Sequence, residues 1–245
     1  ALPIFSQVSL KDFLFSTEWY PTDDPPVFGI GALILGSLAC AALTTVIAVP
    51  TGVLTACAIH AGMPDGMKRV VKPMIELMAA LPSVVIGFIG MIILAPWLQN
   101  TFGLATGLNL TNASIMLAFM CVPTIASISE DALRNVPGGI REASLALGAT
   151  RWETLVRVEL RWAMSGIATA VMLGISRVIG ETMVVLMVAG GAAIISGSIF
   201  DPVRPMTSSI AAEMAEAAVG DAHYHALYAT GLVLFLITFV FNLCA

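Results

Sequence analysis

Residues 28–59, FGIGALILGSLACAALTTVIAVPTGVLTACAI, run for 32 positions without a charged side chain. About 20 helical residues cross the hydrocarbon layer of a bilayer, so this run crosses with length to spare. Pro50 inside it predicts a kink. Four further stretches read as spans, at about 73–97, 112–131, 162–190 and 225–244. Glu76 lies near the start of the second, Pro82 falls within it, and Pro123 falls within the third. Prolines are tolerated in such helices where neighbours satisfy the freed carbonyls. Composition agrees: 58% of residues are hydrophobic and 11% charged, against roughly 25% charged in a soluble domain. The expected class is all-α, a polytopic membrane protein with five spans.

Lysine and arginine orient such a chain. Lys68, Arg69 and Lys72 lie in or beside the loop 60–72, and Arg134, Arg141, Arg151, Arg157 and Arg161 lie in the loop 132–161. The remaining connections hold Lys11 and Arg204. Eight against two places the 60–72 and 132–161 loops in the cytoplasm. The segment 1–27, the loop 98–111 and the loop 191–224 are then external, with residues 28–245 forming the membrane domain. Residues 1–26 lack the basic start and continuous apolar core of a signal peptide. Five spans with an external start imply one more helix before Ala1.

Within 191–224, AAIISGSIF is apolar but too short to span, and SSIAAEMAEAAVG reads as a short helix capped by Ser208 or Ser209. It is either a re-entrant or interfacial element or a lid over the bundle. His223 and His225 at i, i+2 are either solvated surface residues or an incomplete metal pair; no third ligand is evident, and the surface reading is preferred. Cys40, Cys57, Cys121 and Cys244 sit in or at the end of apolar runs with no metal-type spacing, and read as small buried hydrophobes.

Arg177 and Glu181 lie about halfway along the fourth stretch. On a continuous helix their i, i+4 spacing shares one face. A mid-bilayer charge costs roughly 2.5–3.5 kcal/mol on insertion scales, so such groups pair or face water. They are either the lining of a substrate path, with a guanidinium suited to a tetrahedral oxyanion, or an ion pair that pins helices. Glu76 reads as interfacial. The sequence lacks GxxxxGK[ST], HExxH and GxSxG. No enzymatic activity, metal or cofactor is expected, and any transport draws its energy from a partner or an ion gradient.

The longest polar interval is 137–161, PGGIREASLALGATRWETLVRVELR. Pro137 and Gly138 open a first short helix and Gly148 closes it. Thr150 and Glu153 then form a capping box for a second. Leu145, Leu147, Trp152, Leu155 and Val156 are its apolar contacts. It reads as an amphipathic surface element on phospholipid headgroups or as a docking knob for a cytoplasmic protein.

Glu142-Ala143-Ser144, three residues, Gly148, nine residues, then Val158-Glu159-Leu160 resembles the EAA motif of ABC-transporter permeases. Arg161 stands where that family usually has proline, which puts the loop's exit geometry in question. STEWYP at 16–21, LPSVVIGFIG at 81–90, SRVIGETMVVLMVAGG at 176–191 and SSIAAEMAEA at 208–217 resemble the phosphate-specific permeases, the PstC type more than the paralogous PstA type. The resemblance implies a type I (MetI-like) bundle of six spans and a path for phosphate past Arg177 and Glu181. It implies coupling through Glu142, Ala143, Gly148 and Leu160. It also implies a PstA-like permease subunit, a PstB-like ATPase dimer and a periplasmic phosphate-binding protein as partners in the lipid bilayer, with no nucleic acid. The competing readings are an ion-coupled secondary transporter with Glu181 as its proton site, and an ABC permease for another small oxyanion.

Overall fold

The computed structural model describes residues 2–6, 8–195 and 197–244. A short 3-10 turn, Leu2–Ser6, precedes α1, Leu10–Phe15, where Ser9 Oγ accepts the Asp12 amide at 3.1 Å. Strands β1, Trp19–Tyr20, and β2, Val27–Phe28, pair antiparallel with Trp19 opposite Phe28. The first apolar run becomes α2, Gly31–Cys57, continued by a π-helical turn, Ala58–Gly62. Pro50 stays inside α2. Beside it, Thr51 Oγ1 donates to Ile47 O at 2.7 Å, supplying one polar contact where the proline withholds an amide.

The second apolar helix begins later than its expected start at residue 73. Residues 65–79 instead form a separate amphipathic helix, α3, Asp65–Ala79, carrying Lys68, Arg69, Lys72 and Glu76. The chain breaks at Ala80–Leu81, and Pro82 takes the N-cap position of α4, Ser83–Ile89. Proline fits there because a first-turn amide has no helical acceptor to lose. A π-helical turn, Gly90–Leu94, leads into α5, Ala95–Phe102. The third run is α6, Leu110–Arg134, which passes through Pro123.

The loop helices are α7, Gly138–Ala146, α8, Arg151–Thr154, and α9, Leu160–Trp162, with a π-helical turn Leu155–Glu159 between the last two. The fourth stretch is interrupted: α10 is Met164–Ile179 and α11 is Met183–Val188. α12, Met206–Glu213, and α13, Ala222–Cys244, complete the chain. Among the described residues, four helices are long and apolar enough to cross a membrane: 31–62, 83–102, 110–134 and 222–243. A fifth is reached by counting Arg151–Trp162 and Met164–Ile179, bent by 69°, as one span.

Two compact units emerge. The first gathers residues up to Thr44, Pro82–Leu117 and Val178–Leu243; the second gathers Thr45–Leu81 and Ala118–Arg177. In the first, Ile4, Phe13, Trp19, Phe28, Ile30 and Leu33 form a buried cluster with Met206 and Leu227. In the second, Ala56, Leu133, Val136, Leu155 and Ile167 do so. Nine of the eleven lysines and arginines fall in the second unit.

Residues 103–109 of the first unit connect α5 to α6 without helical bonds, so their polar groups need other partners. Asn112 supplies one, its Nδ2 donating to Gly107 O at 2.9 Å, and the same amide reaches Gly90 O at 3.1 Å. Gly107 lies so close to α5 that a Cβ there would stand 1.8 Å from Ala95 O. That clash is with backbone, which no side-chain rotation relieves. Gly107→Ala is expected to cost at least about 1–3 kcal/mol, the range for overpacking, read as a lowered melting temperature in detergent. Gly66→Ala on α3, where nothing lies within 4 Å, should leave the melting temperature unchanged or raise it.

Candidate functional site

The 137–161 loop folds as its turn residues dictate. Pro137 occupies the N-cap of α7, and Leu147 ends it. Gly148 follows with φ +87°, the left-handed conformation that closes a helix and that a side chain disfavours. Thr150 and Glu153 form the reciprocal capping box: the Glu153 amide reaches Thr150 Oγ1 at 3.2 Å, and Thr150 N donates to Glu153 Oε2 at 2.9 Å. The Thr150 amide, and then its hydroxyl, hold the Glu153 carboxyl below the usual carboxylate range.

The loop is anchored from beneath by a network that sequence reasoning missed. Glu159, 4% exposed, accepts from Arg141 Nε and lies 2.8 Å from His60 Nε2. Arg141 Nη2 is 2.9 Å from the same His60 nitrogen, and Lys68 Nζ donates to His60 O at 2.6 Å. Ser144 Oγ and Thr154 Oγ1 meet at 2.9 Å, tying α7 to α8. His60, Lys68, Arg141, Thr154 and Glu159 border a cavity of about 340 Å³, together with Arg151 and Leu155. Nothing in the local pattern flags His60 or Glu159, because they are 99 positions apart and only folding joins them.

Of the loop residues singled out by motif, Glu142, Ala143 and Gly148 are exposed and Leu160 is half-buried. Leu155 is buried, whereas Leu147 is 90% and Trp152 65% exposed. The loop therefore presents two large apolar side chains on a rigid mount. At its exit, where Arg161 replaces the family's proline, the chain still turns through 69°, at Ala163. The Ala163 amide keeps its bond to Glu159 O, 2.8 Å, through the turn.

Arg177 and Glu181 are not on one helix face, as a continuous fourth span required. α10 ends at Ile179, and residues 180–182 are non-helical. Each side chain is taken up locally. Arg177 donates from Nη2 to Ala79 O at 3.1 Å and from Nη1 to Thr124 Oγ1 at 3.5 Å. Glu181 caps the next helix, its Oε1 accepting from the Met183 amide at 3.2 Å and the Val184 amide at 3.5 Å. Thr207 Oγ1 donates to the Glu181 carbonyl at 2.8 Å. A carboxylate at a helix N-terminus meets unpaired amides and the positive end of the dipole.

Two smaller expectations change. Pro205, not Ser208 or Ser209, caps α12, and both serines are buried inside it. His223 is no solvated surface residue, because its Nε2 lies 2.8 Å from Glu213 Oε2. Glu213 also accepts from Trp19 Nε1 at 2.9 Å, Arg204 Nη1 at 2.6 Å and Ser209 Oγ at 3.1 Å. Among the described residues, no group of three metal-ligating side chains converges.

Thr150→Ala removes the α8 cap and is expected to destabilise the loop by about 1 kcal/mol, read as faster hydrogen exchange at the Glu153 amide. A depressed folded pKa contributes stability above the unfolded carboxylate pKa and loses it as pH falls through the folded value. The wild-type capping box should therefore loosen on acidification, and Glu153→Gln should remove that pH dependence.

Residues 48–245 match the family model described as binding-protein-dependent transport system inner membrane component. The chain is 39% identical over 236 residues to the probable ABC transporter permease protein YqgH of Bacillus subtilis (strain 168), covering 96% of this chain and 76% of the relative. It is 36% identical over 247 residues to the phosphate transport system permease protein PstC of Mesorhizobium japonicum, covering 93% and 75%. Among solved structures, the inward-facing MetNI methionine ABC transporter aligns with a TM-score of 0.60 at 21% identity, covering 87% of this chain and 91% of that one. A bacterial alginate ABC transporter aligns at 0.66 and 16% identity, covering 98% and 82%. The fold is thus that of ABC importer permeases, and the chain belongs to the binding-protein-dependent transport system inner membrane component family, among its PstC-type permeases.

Proposed function

We propose that this chain is the membrane-spanning permease subunit of an ATP-driven inorganic phosphate importer. Residues 28–245 form its membrane domain, with the 137–161 loop in the cytoplasm and the 191–224 segment outside. The observation that carries this reading is the loop itself. Leu147 and Trp152 stand exposed on a mount fixed by the Arg141–Glu159–His60 network and the Thr150 capping box. A soluble, helical, apolar-tipped element of this kind suits a groove on a separate ATPase, with Glu142, Ala143, Gly148 and Leu160 shaping the contact. Phosphate as cargo is supported by the relatives named PstC, several of them 30–36% identical over most of the chain.

On this reading the partners are a PstA-like second permease, a PstB-like ATPase dimer and a periplasmic phosphate-binding protein. ATP hydrolysis takes place on the ATPase. Its motion enters through Gly148 and Trp152 and passes through the bend at Ala163 into α10. Arg177, whose described bonds go to neutral oxygens, keeps its positive charge available to a passing oxyanion. Glu181, at the break that follows Ile179, moderates how tightly that anion is held.

Arg177→Gln should lower phosphate uptake in proteoliposomes at least tenfold, the worth of one charge-assisted hydrogen bond of about 1.5 kcal/mol or more, while the complex still co-purifies. Loss of assembly instead would mark Arg177 as a structural residue. Gly148→Val should reduce the ATPase recovered with the permease and uncouple uptake. Undiminished recovery and uptake would remove the loop from the coupling role.

A further inference from the structure

Within the second unit, polar side chains continue below Arg177 along two facing helices. On α6 they are Thr124, Ser127, Glu130, Asp131 and Arg134. At about 100° per residue these positions fall within roughly one third of the helix circumference. On α3 the Ala79 carbonyl is followed by Glu76, Lys72 and Arg69 at steps of three and four, again one face. The two rows are bonded rung by rung. Arg177 reaches Ala79 O and Thr124 Oγ1, as described above. Ser127 Oγ donates to Glu76 Oε1 at 3.5 Å. Lys72 Nζ donates to Glu130 Oε2 at 2.6 Å and also to Asp131. The ladder opens into a cavity of about 560 Å³ bordered by Lys68, Arg69, Lys72, Glu76, Glu130 and Arg134.

Two observations separate this arrangement from a polar seam that merely holds helices together. Such a seam is buried and neutral. Here Arg177, Glu76, Asp131, Arg69 and Arg134 are all exposed. The groove is also cationic: Arg177, Lys68, Lys72, Arg69 and Arg134 outweigh Glu76, Glu130 and Asp131. Among the described residues, neither Arg69 nor Arg134 forms a salt bridge, so both guanidiniums are open to an anion.

We infer that the α3–α6 groove is the inner half of the anion path, with Arg177, Lys72 and the Arg69–Arg134 pair as successive stations for phosphate. This rests on the path reading of Arg177. The carboxylates give the ladder its transport character. A bare cluster of cations would trap a divalent anion, whereas Glu130 and Asp131 at Lys72, and Glu76 above them, compete for each cation and shorten the dwell. Burial works against the Lys72 charge, but hydrogen bonds to Asp131 and then Glu130 outweigh it and hold its pKa above the usual lysine value. Lys72 therefore keeps its proton at every physiological pH.

The test is thiol labelling of Ser127→Cys in the full, reconstituted transporter, with wild type as the background for the buried Cys40, Cys57 and Cys121. A sulfonate-bearing thiosulfonate reagent should modify Cys at position 127 about tenfold faster than its trimethylammonium counterpart, as a focusing positive groove requires, and phosphate should protect it. Lys72→Gln should lower uptake by about tenfold or more with ATPase recovery intact, and Lys72→Arg should restore it. No preference for the anionic reagent and no protection, in a transporter that Arg177→Gln does silence, would overturn the ladder and leave the Arg177 reading standing. Wild-type uptake by Arg177→Gln would remove the path reading, and the ladder with it.

Discussion

A backbone amide surrounded by hydrocarbon must find its partner inside the protein, and that constraint accounts for where this chain is regular and where it is not. The long helices satisfy themselves. Several interruptions are served by an identifiable side chain or carbonyl. Asn112 covers the carbonyls of Gly90 and Gly107. Glu181 covers the first amides of α11, and Thr207 covers the Glu181 carbonyl in turn. The segment after α11 returns to pair Val203 N with Ala189 O at 2.8 Å. Irregular backbone at such depth is tolerated where it is buried in protein or lines a polar cavity. The break at 180–182 is therefore expensive to build, and it falls beside the residues proposed to handle the substrate.

The second unit solves a different problem. The element proposed to receive force from a partner must not yield locally, and the 137–161 loop has no long helix to lend it stiffness. It is stiffened by short-range chemistry instead: a left-handed glycine, a capping box, and one buried carboxylate that gathers an arginine and a histidine. With the mount rigid, the apolar tip can be left in solvent.

Much of this was legible in the sequence, for physical reasons that also mark the limits. Composition and run length gave the class, because no soluble core needs such runs. The loop was readable residue by residue, because caps and left-handed glycines are local devices that act within four positions. The break between Arg177 and Glu181 was not readable. Gly180 alone weakens a helix by only about 1 kcal/mol, and the carboxylate that makes the break tolerable looks identical to one on a helix face. The start of the second apolar helix was misplaced for a related reason. α3 is amphipathic and abuts an apolar run, and Pro82 can kink a helix or begin one. The chain bends after Arg161 without a proline, and Ala163 makes the turn while keeping its backbone bond to Glu159 O. The Glu159 network and the α3–α6 ladder join residues far apart in the chain, and no single-sequence pattern carries that information.

One carboxylate, Glu213, draws donors from four places in the chain: Trp19, Arg204, Ser209 and His223. Bonds that share an acceptor do not fail singly. If α12 lifts, Ser209 moves with Glu213, but Trp19, Arg204 and His223 lose their partner together, and a buried indole is stranded. The N-terminal hairpin, α12 and the start of α13 should therefore come apart as one cooperative unit, with a sharp transition where a set of independent surface loops would fray by degrees.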